Sequence, residues 1–325
     1  MDDDQTGPPA DPSTGSPAGS SPAIGGSPAI GGAWQPPGSF AAAGRGPRLL
    51  SGGGRRAAAI STASTVVVLG ALAAAFLLAP GSREVRHTFF NPTDMWQSFI
   101  GNPKKGYYSV GEAIWLNIRM FAVSEVLILA FALLIALIRQ SRSPALFPFR
   151  VLSLIYVDFF RGVPLLLVIL AIGFGVPALR LPFVSTQSAA VYGVTALVLS
   201  YSAYVSEVYR AGLNSVHRSQ VAAARSLGLS QATALRHVIL PQAVRNIIPP
   251  LLNDFISLQK DTALVSVLGA IEANEAAQIY SSTVFNYSSY AVAAALFLIL
   301  TIPLARFTDH LIDRDRTRRL AGAAA

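Results

Sequence analysis

What most constrains this chain is a series of long uncharged apolar runs joined by short connections that carry arginine. The first, "AAAISTASTVVVLGALAAAFLLA" at 57–79, follows Arg55 and Arg56. At about 1.5 Å of rise per residue it crosses a hydrocarbon layer about 30 Å thick. Five more runs follow, at 112–138, 162–178, 188–208, an interrupted one at 246–269, and 288–305. Backbone in lipid must satisfy its own N–H and C=O groups, so these runs are expected to be six transmembrane helices. Only 13% of the 325 residues are charged, against about 25% in a soluble domain. The expected fold class is an all-α integral membrane protein.

The formal net charge of +8 is not a nucleic-acid signal. Lysine is confined to Lys104, Lys105 and Lys260, and the arginines gather in the connections, as charges that set topology do. With both ends inside (N-in/C-in), the N-terminal segment, the connections at 139–161 and 209–245 and the C-terminal end hold most of the 25 basic residues. The segment 80–111 then lies outside. Arg83, Arg86, Lys104 and Lys105 make it a mild exception, while Trp96, Tyr107, Tyr108 and Trp115 suit an interfacial belt. Residues 1–56 are rich in Pro, Gly, Ser and Ala, with "SPAIGG" twice in succession. Too little apolar surface is available there to offset ordering entropy, so a disordered cytoplasmic tail is expected. A second cytoplasmic tail is expected at 313–325.

Cysteine is absent, and the four histidines form no His-Glu-x-x-His pattern. No Gly-x-x-x-x-Gly-Lys-[Ser/Thr] phosphate loop occurs either. No catalytic residue, metal site or bound cofactor is expected of this chain.

The connection 213–241 reads as folded. Ser219 is placed to cap a short helix, "QVAAARSL". Gly228 can end it in the left-handed conformation. Ser230 caps a second short helix, and Pro241 stands where a new one can begin. The core of this loop is Ser219, Gln220, Val221, Ala222, Ala223, Ala224, Arg225, Ser226, Leu227 and Gly228, followed by Val238, Leu240 and Pro241.

This spacing resembles the cytoplasmic "EAA" loop of ATP-binding-cassette (ABC) importer permeases, in which E-A-A, three residues, Gly, nine residues and I-x-L-P succeed one another. Ala223, Ala224, Gly228, Leu240 and Pro241 match in register, with Val238 in the isoleucine position. "FFRGVPLL" (159–166), "SAYVSEVYRAG" (202–212) and "NDFISLQKDTALVSVLG" (253–269) resemble the polar amino-acid subfamily, over residues 110 to 312. The resemblance implies a five-helix permease domain at 112–312, with 57–79 as an extra N-terminal helix, in the cell membrane. It implies ABC ATPase subunits that carry ATP-Mg, a second permease subunit (the same chain or a similar one) and an extracytoplasmic amino-acid-binding protein as partners. The loop 219–241 would carry ATPase closure to the spans. Ala222 departs from the family's glutamate. With Ser219 as the cap, it falls where that acid would close a capping box. The literal "EAA" at 275–277, in "NEAAQIY", lacks the glycine and the Leu-Pro joint and is expected to face outward. A stand-alone secondary transporter or channel is the alternative reading, but no internal repeat supports it.

Charges in or near the spans are the remaining candidates. Asp158 with Arg161, and Glu207 with Arg210, lie three apart and are expected to pair at the inner interface. Arg119 and Glu125 fall within the second span, and Asn253, Asp254, Ser257, Lys260, Asp261 and Thr262 interrupt the fifth. Asp254, Ser257 and Asp261 share one helical face, turned away from lipid. They either line and gate a polar pathway or pair with one another or across a dimer interface.

Overall fold

The structure, a computed structural model, describes residues 54–324. Nearly all of the tail expected at 1–56 therefore lies outside the described residues. The chain divides into two units at Ala71. Helix α1 (Gly54–Leu78) crosses that boundary. Its apolar side chains are exposed at successive positions, Val66, Val67, Val68 and Leu69. A helix apolar on every side is at home in lipid, not on a water-facing surface.

The named elements of the second unit are all helical among the described residues. Helices α2 (Ser82–Phe89) and α3 (Pro92–Ile100) precede a long α4 (Val110–Gln140). Helix α5 (Phe147–Gly162) is followed by α6 (Leu165–Leu170) and α7 (Val176–Ala178), joined by a π turn at Ala171–Gly175. Helix α8 (Ala189–Asn214) leads to α9 (Arg218–Ser226) and α10 (Gln231–Ala234). Helix α11 (Leu240–Asp261) ends in 3-10 turns at Thr262–Leu268, and α12 (Ala273–Val284) and α13 (Ser288–Ala324) close the chain.

Among the described residues, four helices are long and apolar enough to cross a membrane: α1, α4, α8 and α13. A fifth span results if α5 and the α6–α7 run, bent by 110°, count as one. The expected third span, 162–178, thus begins too late. Helix starts at Phe147, and the bend falls at Val163, which is extended (ψ 130°) ahead of Pro164. Proline disfavours helical backbone in the residue before it, which breaks the run there. The expected fifth span differs more. Its polar stretch leaves α11 amphipathic, and its last part tightens into the 3-10 turns.

The core is built on α4 and α8. Met120, Ile128 and Ala132 of α4 meet Leu197, Tyr201 and Val205 of α8, with Leu258 of α11 and Val265 beside them. Residues four apart stack on one helical face, which is why these series pack as ridges. Lipid tails are as apolar as leucine, so helices in a membrane associate through close van der Waals contact at small residues. Gly193 and Gly212 of α8 provide it. A Cβ on Gly193 would lie 2.3 Å from Val265 Cγ1, and one on Gly212 2.1 Å from Ile247 Cγ1 of α11. The alanines of the literal "EAA", Ala276 and Ala277, are buried against Val110, Ala113 and Val292. They are packing residues of α12.

The segment ahead of α4 is fastened to α12 and α13. Tyr280 Oη donates to Asp94 at 2.9 Å, Asn286 Nδ2 to the His87 carbonyl at 3.1 Å, and Tyr287 N–H to the Thr88 carbonyl at 2.8 Å.

Replacing Gly193 with leucine is expected to overpack the α8 contact and cost about 1–3 kcal/mol, read as a lower thermal midpoint in detergent. Gly70→Ala, with nothing within 4 Å of the new methyl, should leave the midpoint unchanged or slightly raised.

Candidate functional site

The loop 213–241 begins with a correction. The cap of α9 is His217, not Ser219. His217 is extended (φ −62°, ψ 136°), and its Nδ1 accepts from Ser219 N–H at 3.3 Å. A neutral imidazole nitrogen can serve as the acceptor that a serine hydroxyl more often supplies. The helix therefore starts at Arg218, and Ala222 is its fifth residue, beyond the reach of a capping box. Ala222 is exposed, and its carbonyl accepts from Ser226 Oγ at 3.1 Å. An acid there would act on whatever touches the surface and would do little to the helix end.

The other end of α9 is as expected. Gly228 sits at φ +82°. Its N–H bonds the Arg225 carbonyl at 3.0 Å, and Leu229 N–H bonds the Ala224 carbonyl at 3.2 Å. This pair of bonds is a Schellman stop, which needs a left-handed residue at its centre. Ala224 is buried, while Ala222, Ala223, Arg225, Ser226 and Leu227 are exposed, Leu227 by 82%. A leucine that bare at a helix tip is presented to something.

Ser230 caps α10 by accepting from Thr233 N–H at 3.2 Å. Pro241 does not start a separate helix. Helix α10 passes through a π turn at Leu235–Ile239 straight into α11. Pro241 has no N–H for the His237 carbonyl and its ring crowds that position, and the wider turn relieves both effects. The two ends of the loop are joined. Asn246 Nδ2 of α11 donates to Ser215 Oγ at 2.8 Å, and Val216, Ala243 and Ile247 form one buried cluster.

Helices α8 and α11, with the α5–α6 bend, line a cavity made of two adjoining pockets. Its smaller part, about 220 Å³, is lined by Phe160, Val163, Leu165, Ser200, Tyr201, Tyr204, Asp254, Ser257 and Asp261. The larger part, about 530 Å³, shares Tyr204 and Asp254 and extends to Arg161, Glu207, Ser215 and Asn246. Asp254, Ser257 and Asp261 therefore share a cavity-facing side of α11. Tyr201 Oη donates to Asp261 Oδ2 at 2.6 Å. Asp254 Oδ2 and Ser200 Oγ are buried with no hydrogen-bond partner among the described residues.

The other charged candidates disperse. Glu125 lies within electrostatic reach of Asp254. Arg119 is exposed and lines a separate pocket of about 230 Å³ with Tyr108, Glu112, Trp115 and Ile271. Asn253 and Lys260 are exposed and line neither part of the cavity. Thr262 is fully buried and accepts from Asn117 Nδ2 at 3.1 Å. The same amide donates to Glu272 at 2.8 Å, and Glu272 also accepts from the N–H groups of Asn274 and Glu275. Burial pushes the Glu272 carboxyl above the usual range, while these bonds oppose the shift. This network ties α4 to α12 and stands apart from the cavity.

One expected ion pair forms and one does not. Glu207 pairs with Arg210 at 2.6 Å and also with Arg139 of α4. Arg161 instead lies 5.8 Å from the centre of the Tyr204 ring, and its expected partner Asp158 is exposed. The α5–α6 bend sets Arg161 against α8. Sequence reasoning missed Arg139, Ser200, Tyr201, Tyr204, Asn117 and Glu272. A signal existed for two of the three on α8, because Ser200, Tyr204, Glu207 and Ala211 repeat at helical spacing down one face.

A family model described as "Binding-protein-dependent transport system inner membrane component" matches residues 143–317. The probable amino-acid permease protein YxeN of Bacillus subtilis is 38% identical over 206 residues, covering 62% of this chain and 90% of that protein. The probable glutamine ABC transporter permease protein GlnM of the same organism is 37% identical, covering 51% of this chain and 76% of that one. A solved structure of an amino acid ABC transporter with histidines aligns at a TM-score of 0.58 and 32% identity, over 63% of this chain and 93% of that chain.

Glu207→Gln would leave Arg139, whose side chain is only 12% exposed, without its counter-charge. We expect a loss of about 1–3 kcal/mol, below the ~3–5 kcal/mol of a fully buried pair because Arg210 is open to solvent. Thermal unfolding in detergent measures it, and the double variant Arg139→Met/Glu207→Leu should recover most of the loss.

Proposed function

The chain belongs to the family of binding-protein-dependent transport system inner membrane components, and on that footing we propose that it is the permease subunit of an ABC importer for amino acids. In this reading it is a multi-pass protein of the cell membrane with both termini inside. Helix α11 and its 3-10 extension supply the span beyond the apolar ones, shielded from lipid by α4, α8 and a second permease subunit. ABC ATPase subunits dock on the loop from inside and hydrolyse ATP-Mg, and an extracytoplasmic binding protein delivers the amino acid. The domain limits 112–312, with cytoplasmic tails at 1–56 and 313–325, belong to the same proposal.

One observation carries the reading. The loop that presents α9 is continuous with α8 on one side and α11 on the other, and those helices form the walls of the polar cavity. A push on α9 passes through the Schellman stop and the π turn into α11. The Ser215–Asn246 bond and the Gly212–Ile247 contact make α8 follow. As α8 and α11 move together against the α5–α6 bend, the cavity opens or closes as a rigid-body change between two packed states. Arg225 and Leu227, both exposed, are the contacts through which the ATPase would hold the helix tip.

Co-purification tests the docking. Leu227→Asp changes an exposed residue, so the fold should keep its stability to within about 0.5 kcal/mol, while the ATPase subunit no longer follows the chain out of mild detergent. Gly228→Val forces a β-branched residue to φ +82° and should lower ATP-driven uptake at least tenfold. Unchanged co-purification and uptake in both variants, or uptake that needs no ATPase, would replace this reading with a stand-alone transporter.

A further inference from the structure

Helix α4 carries an exposed face that plays no part in the cavity or the loop. Glu112, Trp115 and Arg119 lie on it. At helical spacing it continues through Val123, Val126, Leu133 and Leu137, all exposed. Below Arg119 the face is therefore apolar, and an exposed apolar stripe on a spanning helix belongs against lipid tails. At about 1.5 Å of rise per residue, Arg119 stands about 27 Å from Leu137 along the axis, close to the ~30 Å of a hydrocarbon layer. Arg119 thus falls at the border between hydrocarbon and headgroups.

That border is concave. Tyr108, Glu112, Trp115, Arg119 and Ile271 line a pocket of about 230 Å³. Glu112 and Arg119 are two helical turns apart, about 10.5 Å along the axis, and the ion pairs among the described residues involve neither. Side chains tilt toward the start of their helix, so the Arg119 guanidinium rises from the apolar stripe toward Glu112. The pocket offers a cation at the edge of the hydrocarbon and an anion farther out, with the aromatic rings that suit a membrane interface. A phospholipid presents its charges in the complementary order. Its phosphate lies next to the glycerol, and in an aminoethyl ester a primary ammonium lies beyond. A guanidinium fork matches the phosphate. The ammonium can donate to the Glu112 carboxylate, which a trimethylated ammonium cannot do. An anionic glycerol headgroup offers Glu112 no cation at all.

We propose that this pocket is a phospholipid headgroup site that prefers phosphatidylethanolamine. The phosphate lies against Arg119, the primary ammonium against Glu112, and the acyl chains run down the stripe toward Leu137. The proposal goes beyond the transport reading and needs from it only that α4 crosses the membrane. Met120, beside Arg119, belongs to the core that α4 forms with α8, so a bound headgroup braces the outer end of that contact.

The test is fluorescence quenching in the full-length chain in phosphatidylcholine nanodiscs. Trp34→Phe and Trp96→Phe leave Trp115 as the one tryptophan. A small fraction of the lipid carries bromine on its acyl chains and an ethanolamine, choline or glycerol headgroup. We expect the ethanolamine lipid to quench Trp115 with an apparent affinity about fivefold above the other two. Glu112→Gln should bring the ethanolamine and choline lipids to within about twofold of each other. Arg119→Gln should weaken the ethanolamine lipid about fivefold, while Arg119→Lys keeps the order of preference. Both side chains are exposed, and gel filtration checks that each variant elutes as the parent does. If Arg119→Gln does not, Glu112→Gln carries the test. Equal quenching by the three headgroups, or an unchanged preference in Glu112→Gln, would overturn the proposal. So would relief of quenching by free L-glutamine, which would make the pocket a site for a soluble zwitterion. Absence of quenching by any lipid would put a second copy of the chain on the stripe and would overturn it too.

Discussion

The close approach of α8 to α11 is the contact on which the rest of the structure depends. Helices in lipid gain nothing from hiding apolar surface from one another, so they hold through tight van der Waals packing and polar bonds. Gly212 lets Ile247 sit against the α8 backbone, and Gly193 does the same for Val265. From this seam follow the position of Asp254, Ser257 and Asp261 opposite Ser200, Tyr201 and Tyr204, and the rigid base of the loop between the two helices. A wider seam would loosen the cavity and the loop together.

Electrostatics reinforces the arrangement. A charge among the spans persists only when it is paired or faces a polar space. Glu207 takes the first course, held by Arg139 and Arg210. Asp254 takes the second, facing the cavity with one oxygen unmatched. Glu272 is paired as well, through Asn117 and two backbone N–H groups, and holds α4 to α12. The paired charges fix the framework, and Asp254 faces the space that they leave.

Much of this was legible in the sequence because the signals were local. The apolar runs located α1, α4, α8 and α13, and Gly228 marked the end of α9. The period of Asp254, Ser257 and Asp261 put them on one face. What the sequence concealed depends on tertiary contacts or on competition between similar residues. His217 took the capping role from Ser219, which moved Ala222 into the body of the helix. Pro164 broke a helix that begins at Phe147, and Arg161 turned to Tyr204 once that bend was made. Arg139 lies 68 residues from Glu207, and no periodic signal connects them. The literal "EAA" at 275–277 has the lettering of a docking loop and the burial of a packing helix.

The central claim is that α8, the loop and α11 transmit motion as one body. The chain has no cysteine, so a short bifunctional cross-link can be placed between Ser215→Cys and Asn246→Cys alone, in the assembled transporter in proteoliposomes. Because these positions already touch and move together in this account, ATP-driven uptake should persist after cross-linking at a rate within about twofold of the uncross-linked protein. Uptake abolished by the cross-link and restored by cleaving it would show that the two ends of the loop must separate, and would contradict the account.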